Sequence, residues 1–351
     1  MKFYHLQVKE VVKETPDTIS IHFWHPLAEQ VKYKAGQFVT LCVLIDGKKV
    51  RRSYSMSSSP HADTSIAVTV KRVENGLVSN WLNDNVKVGD FIELIEPMGN
   101  FYVETNPENS RHIVLFAAGS GITPLISIAK SILKMEPNSR VSLLYGNRNE
   151  QTIIFKDKLD QLESQYRGRF RVTYLLSRPS EFWVGERGHI NQAKAIYWLK
   201  EFETDFKKDE FYMCGPSGMM DEVIRGLDIY DIPKNRIHKE NFHAPVDDDI
   251  AEEAEDDGSL KTQTVKVIYD GDEYEFEVKP HQTVLEAALD LDIDLPYSCQ
   301  AGMCTACLGK CVQGKIKMDE EDGLTDKEIS QGYILTCVSH PLTKDVVIEI
   351  D

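Results

Sequence analysis

Four cysteines near the carboxyl end of this 351-residue chain constrain its fold more than any other feature. Cys299, Cys304 and Cys307 form a C-x4-C-x2-C loop, and Cys337 follows after 29 further residues. This spacing is typical of the ligands of a [2Fe–2S] cluster, in which four thiolates converge on two irons. A structural zinc site is the alternative, but it more often uses two C-x2-C pairs, and here one arm is a single cysteine. The spacing therefore predicts a binuclear iron–sulfur centre.

The residues around these cysteines support the same interpretation. Gly302 allows the loop backbone to bend close to the cluster, where backbone N–H groups can donate to the sulfurs. Cys311 adds a fifth thiol, which we expect to lie on a strand and face away from the cluster. The segments PYSCQAGMCTACLGKC and ILTC resemble a plant-type ferredoxin. That resemblance implies a β-grasp (α+β) domain over residues 263–351.

The net charge of −16 is unevenly distributed along the chain. Residues 243–262 carry eight acidic residues and one lysine, and residues 263–351 carry eighteen acidic residues and seven lysines. The preceding 242 residues are nearly balanced. This acidic excess argues against a nucleic acid or an anionic membrane as a partner. The stretch 243–262 is almost free of aromatic residues, so we expect a mobile acidic linker, with an exposed helix face as the alternative.

The sequence before this stretch changes pattern once. Residues 1–108 contain short β-type runs separated by Asp-Gly, Asn-Gly and Gly-Asn turn signals, which predict a small antiparallel β-barrel. In residues 109–242, apolar strand runs alternate with helical patterns, which predict an α/β domain with a parallel sheet. The amino terminus lacks the pattern of an export signal, and no apolar run is suited to a bilayer. With few and clustered cysteines, we expect a reducing, cytoplasmic location and no membrane span.

Two short motifs in residues 1–108 indicate flavin binding. Arg52-Ser53-Tyr54-Ser55 fits R-x-Y-S, and Gly76-Leu77-Val78-Ser79 fits G-x-x-S at the start of a helix expected over Ser79–Asn83. Each match is weak alone, because these residues are also common on barrel surfaces and in turns. Together, their order and separation resemble the flavin barrel of the ferredoxin–NADP reductase superfamily.

The resemblance implies a role for each motif residue. Arg52 would bind the flavin phosphate, Tyr54 would lie on the isoalloxazine face, and Ser55 would hydrogen-bond near flavin N5 as a catalytic residue. A pyrophosphate would lie at the helix start, where free N–H groups favour an anion. FAD is favoured over FMN. The residues expected at the pyrophosphate are Gly76, Ser79 and, from the preceding strand, Lys71.

A second set of motifs in residues 109–242 indicates a nicotinamide coenzyme. Gly119-Ser120-Gly121-Ile122-Thr123-Pro124 follows a buried strand and opens a helix, although it is not a G-x-G-x-x-G fingerprint. Glycines allow a close approach, and the helix start favours a pyrophosphate. In the superfamily this loop faces the nicotinamide nucleotide. The candidate coenzyme-binding residues here are Gly119, Gly121, Thr123 and Pro124.

Three further segments complete the expected coenzyme site. In the superfamily, Cys214 of Cys214-Gly215-Pro216 lies beside the hydride-transfer centre, whereas a buried strand cysteine is the structural alternative. Arg148 and the Ser177-Arg178 pair follow adjacent strands, where a guanidinium suits a 2′-phosphate, so NADPH is slightly favoured over NADH. An aromatic residue such as Phe242 covers the flavin in relatives, and core packing is the alternative.

The order of the three domains resembles the reductase components of multicomponent oxygenases, in particular those of phenylacetyl-CoA epoxidase type. It implies an NAD(P)H-dependent flavoprotein iron–sulfur oxidoreductase that passes electrons to a terminal oxygenase. Reductases for ring or steroid hydroxylases, for a fatty-acid desaturase or for the hybrid-cluster protein are alternatives, and a non-catalytic redox sensor is a further one. The cofactors carry this chemistry. Accordingly, we expect no Ser/His/Asp or Cys/His set, and we expect the ten histidines to be scattered.

Overall fold

The computed structural model of the protein describes residues 2–25, 31–242, 261–280, 282–321 and 323–350. The described chain divides into two units. The larger contains Lys2–Val50 and Tyr54–Phe242, and the smaller contains Arg51–Ser53 together with the described residues from position 261 onward. The linker expected over 243–262 falls almost entirely outside the described residues. None of the described helices is long and apolar enough to cross a membrane.

The first part of the larger unit is an antiparallel sheet of six strands in the order β4-β3-β6-β1-β2-β5. A β-bridge between Met56 and Val68 joins the end of the β4 edge to the β5 edge, so the sheet closes on itself as the expected barrel. The helix expected from Ser79 begins two residues earlier. The elements are Phe3–Thr15 (β1), Thr18–Phe23 (β2), Phe38–Ile45 (β3), Lys48–Ser55 (β4), Ile66–Lys71 (β5), Leu77–Asn85 (α1) and Phe91–Met98 (β6).

The second part of the larger unit is a parallel sheet of six strands in the order β10-β9-β8-β7-β11-β12, as the alternating pattern predicts. Its strand order reverses between β7 and β11, and ligands bind at the carboxyl ends of the strands beside such a switch point. The elements are His112–Ala118 (β7), Ile122–Met135 (α2), Arg140–Asn147 (β8), Lys156–Gln165 (α3), Phe170–Leu176 (β9), Glu186–Arg187 (β10), Gln192–Glu201 (α4), Glu210–Cys214 (β11), Ser217–Asp228 (α5) and Ile237–Glu240 (β12).

Helix α2 packs the parallel sheet against the barrel within the larger unit. Eleven of its fourteen residues are buried, so it has no continuous polar face. Its hydroxyl groups bond to the loop after β4: Ser127 Oγ donates to Ser58 O at 2.6 Å, and Ser131 Oγ lies 2.7 Å from Ser59 Oγ. Lys130 Nζ donates to Ser57 O at 2.8 Å. These contacts hold the end of β4 close to the carboxyl edge of the parallel sheet.

The smaller unit has a five-stranded sheet in the order β14-β13-β19-β15-β17 and a two-stranded sheet of β16 and β18. Asp270 and Gly271 both have positive φ, as a two-residue hairpin turn between β13 and β14 requires. Helix α6 begins at a capping box in which Thr283 and Glu286 exchange side-chain and backbone hydrogen bonds. The elements are Gln263–Tyr269 (β13), Asp272–Val278 (β14), Val284–Asp290 (α6), Leu308–Gln313 (β15), Ile316–Met318 (β16), Asp326–Ser330 (α7), Tyr333–Leu335 (β17), Ser339–Pro341 (β18) and Val346–Ile350 (β19).

Candidate functional site

The four cysteines singled out by their spacing converge in the smaller unit as two pairs. Cys299 Sγ lies 3.3 Å from Cys304 Sγ, and Cys307 Sγ lies 3.3 Å from Cys337 Sγ. All four are free thiols and all are buried. A [2Fe–2S] cluster requires two thiolates at each of two irons, so this paired donor set fits that group.

Hydrogen bonding within each pair favours a thiolate on one sulfur and a protonated thiol on the other. The hydrogen bond from Cys304 lowers the pKa of Cys299, and the one from Cys337 lowers the pKa of Cys307, while the same bonds raise the pKa of Cys304 and Cys337. Ala301 N also donates to Cys299 Sγ at 3.4 Å. A coordinated thiol is deprotonated outright. The protein therefore already stabilises one thiolate in each pair.

The surrounding loop agrees with what the sequence indicates. Gly302 has φ of +67°, which an L side chain rarely adopts, so the glycine allows the loop to turn between the ligands. Cys311 lies on β15 and its Sγ donates to Gln313 O at 3.2 Å. It therefore takes no part in either thiol pair.

In the larger unit, three buried side chains meet where the barrel faces the parallel sheet. Ser55, the last residue of β4, donates from Oγ to Glu240 Oε2 at 3.0 Å. Glu240 ends β12 and is the register partner of Cys214 at the end of β11. Burial, and then the nearby Glu240, raise the pKa of Cys214 well above its ordinary value, so this thiol is neutral. The arrangement places a hydroxyl, a thiol and a carboxyl group together at the carboxyl edge of the sheet.

The glycine-rich loop after β7 lies directly against Cys214. A Cβ on Gly121 would be only 2.1 Å from Cys214 O, so only glycine fits this close approach. Gly119 has φ of +53°, and its carbonyl accepts a hydrogen bond from Tyr145 Oη at 3.0 Å. Thr123 Oγ1 donates back to Ser120 O at 3.0 Å. The loop thus has a fixed shape at the switch point.

The remaining residues of that loop and of the Cys-Gly-Pro motif lie where the sequence predicts. Helix α2 begins at Ile122, and Pro124 occupies its first turn, where no intrahelical N–H donor is needed. Gly215 lies between β11 and α5, and a Cβ there would be 2.9 Å from Met219 Cε. Pro216 is the N-terminal cap residue of α5.

Two of the three expected pyrophosphate residues, Gly76 and Ser79, lie at the start of α1, whereas Lys71 lies apart from them on β5. Gly76 is the cap residue, and a Cβ there would be 2.8 Å from Ser79 Oγ. Ser79 Oγ accepts from Val73 N at 3.1 Å, which closes the turn before the helix. Lys71 ends β5, and its Nζ lies 4.0 Å from the Cβ position of Gly119 and 3.8 Å from Asp17 Oδ2. Its amine therefore lies beside the glycine-rich loop after β7.

Of the other predicted flavin residues, Arg52 and Tyr54 are half-buried on β4, and Phe242 is 45% exposed after β12. Arg52 Nη1 donates to Arg51 O at 2.8 Å. At the outer strands, Ser177 N donates to Asn147 O at 3.0 Å and Arg178 N donates to Arg148 O at 2.7 Å. The structure thus brings together the three residues predicted for the adenosine end: Arg148, Ser177 and Arg178.

One hydrogen-bonded set joins a serine, a histidine and an aspartate, a combination that the sequence analysis does not expect. His112 Nδ1 lies 2.8 Å from Asp209 Oδ2, and His112 Nε2 lies 2.9 Å from Ser142 Oγ. All three side chains are buried. They lie near the amino ends of β7, β8 and β11, opposite the edge that carries Gly121 and Cys214. The set connects three strands. Its members are 30 and 97 residues from His112 in sequence, so the set could not be predicted from local spacing.

Sequence reasoning also missed the role of Glu240 as the acceptor for Ser55. The residue was visible only as part of Glu240-Asn241-Phe242 at the end of the α/β region. Its buried carboxylate, the adjacent neutral thiol and two glycine-lined helix starts form a donor set suited to a flavin and a nicotinamide nucleotide. The cofactors implied by the motifs therefore fit the residues present.

Comparison with protein families defines the class of this protein. An oxidoreductase FAD-binding domain matches residues 5–102, an oxidoreductase NAD-binding domain matches residues 115–225, and a 2Fe-2S iron-sulfur cluster binding domain matches residues 267–342. The chain therefore belongs to the family of FAD- and NAD-dependent oxidoreductases with a carboxyl-terminal [2Fe–2S] domain.

Relatives match almost the whole chain. It is 36% identical to the ferredoxin reductase component of 3-ketosteroid-9-alpha-monooxygenase of Rhodococcus rhodochrous, over 98% of this chain and 96% of the relative. It is 33% identical to one of the subunits of the 1,2-phenylacetyl-CoA epoxidase of Escherichia coli strain K12, over 99% and 98%. The solved structure of phthalate dioxygenase reductase shares the fold, with a TM-score of 0.66 and 23% identity over 99% of this chain and 98% of that one.

Proposed function

We propose that this protein is the reductase component of an oxygenase system, of phenylacetyl-CoA epoxidase type, and that it passes electrons from NAD(P)H through FAD and a [2Fe–2S] cluster to the oxygenase. The observation that carries the proposal is the presence of both ends of this route in one chain. The Ser55–Glu240–Cys214 site supports entry of electrons, and the two thiol pairs support their exit. The nearly full-length match to proteins of oxygenase systems supports the choice of acceptor.

Each set of residues has a proposed part in this reaction. A bound flavin would accept a hydride and release electrons singly to the cluster, while the protein supplies placement and tuning. Ser55 would orient the flavin edge, and Glu240 accepts the hydrogen bond from that hydroxyl and so fixes its direction. Cys214, as a neutral thiol, packs against the nicotinamide. The residues proposed to hold FAD are Arg52, Tyr54, Ser55, Lys71, Gly76, Ser79 and Phe242; those for the coenzyme are Gly119, Gly121, Thr123, Pro124, Arg148, Ser177, Arg178, Cys214, Gly215 and Pro216; those for the cluster are Cys299, Cys304, Cys307 and Cys337.

The domain limits belong to the same proposal: flavin barrel 1–108, nicotinamide domain 109–242, acidic linker 243–262 and iron–sulfur domain 263–351. We also propose a cytoplasmic location, which the seven cysteines support because they form no disulfide with one another and a reducing compartment favours that state. A reductase for a ring or steroid hydroxylase, a fatty-acid desaturase or the hybrid-cluster protein is the second candidate. The match to a ketosteroid monooxygenase reductase favours the steroid member of that group.

The decisive experiment separates the two halves of the route. Cys307→Ser is expected to retain NAD(P)H-dependent ferricyanide reduction, because the flavin site is intact, and to lose at least 90% of substrate oxidation when supplied to a partner oxygenase. Cys311→Ser, a matched thiol outside both pairs, is expected to retain both activities. Absence of NAD(P)H-dependent ferricyanide reduction in the wild-type holoprotein would instead favour the non-catalytic redox sensor. Full oxygenase support by Cys307→Ser would overturn the proposed exit route.

A further inference from the structure

A buried histidine follows the fourth cysteine of the proposed cluster site. His340 lies on β18, three residues after Cys337, and its side chain is 9% exposed. Its Nδ1 lies 3.0 Å from Gln282 O, just before α6, and its Nε2 lies 2.8 Å from Asp319 Oδ2, just after β16. The imidazole ring therefore joins three segments of the smaller unit.

The two partners of the ring determine how many protons it carries. A backbone carbonyl can only accept a hydrogen bond, so Nδ1 of His340 carries a hydrogen toward Gln282 O. The side chain of Asp319 is 56% exposed to water, and an ionised carboxylate also only accepts. Nε2 therefore carries a hydrogen as well. The geometry assigns a positively charged imidazolium to a side chain that is about nine-tenths buried.

The same aspartate also holds the turn that carries Cys337. Asp319 N donates to Val338 O at 2.9 Å, and Val338 directly follows Cys337. The carboxylate of Asp319 bonds to His340 two residues further on. The backbone on the carboxyl side of the fourth thiol is thus fixed at two points by one residue of the neighbouring segment.

Other charged groups near the ring belong to the same neighbouring segments. Lys317 is the register partner of His340 on β16, and it is exposed. Glu286 is occupied in the capping box of α6, and Asp290 accepts from Gln282 Nε2 at 2.7 Å. Within the described part of the chain, Asp319 is the charged group that bonds to the ring.

A buried positive charge has a definite effect on a neighbouring iron–sulfur centre. Reduction adds one negative charge to the centre, and its potential depends on the net charge and solvent exposure around it. A buried charge is screened much less than an exposed one. We propose that His340, as a buried imidazolium, positions Cys337 and raises the reduction potential of the [2Fe–2S] centre. The inference rests on the proposed function, because it concerns the cluster through which electrons leave.

The test removes the charge and keeps one donor at a time. His340→Gln keeps a donor toward Asp319, and His340→Asn keeps a donor toward Gln282, but both are neutral. Each is expected to lower the equilibrium constant for cluster reduction about tenfold, equivalent to about 59 mV for one electron. Lys317→Gln removes the same charge from an exposed position and is expected to change that constant by less than about twofold. Dithionite titration of each holoprotein with redox mediators, followed by electron paramagnetic resonance, measures the potentials.

A second measurement needs no substitution. Nitrogen-15 NMR of the wild-type holoprotein with an oxidised cluster is expected to show two protonated ring nitrogens for His340 at pH 7. A neutral ring, with one protonated nitrogen, would overturn the inference even if neither variant assembles a cluster.

The potentials separate this inference from a purely structural role and from the proposed function. Wild-type potentials in His340→Gln and His340→Asn with assembled clusters would overturn it. An equal shift in Lys317→Gln would also overturn it, because the effect would not depend on burial. Dithionite replaces NAD(P)H in this titration, so the expected shifts in a protein that does not oxidise NAD(P)H would sustain the inference and contradict the proposed function.

Discussion

The contact between Ser55 and Glu240 shows which functional residues a local sequence pattern can identify and which it cannot. Ser55 was identified because R-x-Y-S is a local pattern, and the cysteine ligands because three lie within nine residues. Glu240 lies 185 residues from Ser55, and only the pairing of β12 with β11 brings its carboxylate to that hydroxyl. Local spacing was predictable, whereas contacts made by tertiary packing were not.

Removal of the Ser55 hydroxyl tests the role proposed for this contact. Ser55→Ala is expected to slow flavin reduction by NAD(P)H at least tenfold. A side chain positioned to donate or accept a proton at the reacting group commonly increases the rate by more than a factor of ten. Bound FAD is expected to remain stoichiometric, and Ser55→Thr, which keeps a hydroxyl, is expected to recover most of the rate. Anaerobic stopped-flow absorbance measures the step directly. A Ser55→Ala protein that is reduced at the wild-type rate would assign the hydroxyl to structure alone.

At the scale of elements, the parallel sheet followed from the alternation of strand and helix patterns, whereas its strand order and switch point come from the structure alone. The ends of α1 were predicted only to within two residues, because the position of a helix cap depends on individual backbone angles. The approach of the Gly121 loop to the carbonyl of Cys214 was not predictable, since it joins the ends of two strands that are distant in sequence. A glycine in a motif indicates that the backbone is closely packed there, but it does not identify the residue against which it packs.

Two glycine substitutions test that approach. Gly121→Ala places a methyl group 2.1 Å from a carbonyl oxygen, so the two strand ends must separate. We expect a loss of about 2–4 kcal/mol in the free energy of unfolding, in the range of overpacked or strained sites, and weaker coenzyme binding. Gly218→Ala is the matched control in α5, where an added Cβ meets nothing within 4 Å. Its unfolding free energy is expected to be equal or higher by up to about 1 kcal/mol. Equal denaturation midpoints for the two variants would contradict the close approach.

At the scale of the whole molecule, partly buried ion pairs join segments that the sequence shows only as separate patterns. Arg111 bonds to Glu136 at the end of α2, to Glu210 at the start of β11 and to the carbonyl of Glu104 after the barrel. The side chain of Glu136 is fully buried. Burial alone would raise the pKa of Glu136, but hydrogen bonds from Arg111, Asn109 and Ser139 lower it overall.

This network predicts a specific pH dependence of stability. Because the pKa of Glu136 is lowered on folding, its contribution is present above the ordinary value of 4.5 and is lost as pH falls below it. Glu136→Gln is expected to lower the unfolding free energy at pH 7 by about 2–3 kcal/mol, less than full removal of a buried partner, and to flatten its decline between about pH 5 and 3. Exposed Glu108→Gln is the control and is expected to match wild type. Chemical denaturation across pH checks both, and an unchanged acid profile in Glu136→Gln would contradict the assignment.

The most direct test of the electron route is an anaerobic titration of the wild-type holoprotein with NAD(P)H, followed by visible absorbance and by electron paramagnetic resonance. We expect the flavin absorbance to bleach and the paramagnetic signal of a reduced [2Fe–2S] cluster to develop in the same sample, with loss of the signal in Cys307→Ser. A flavin that bleaches while the assembled cluster stays oxidised would contradict the account, because electrons would then enter the protein without reaching the cysteines proposed to release them.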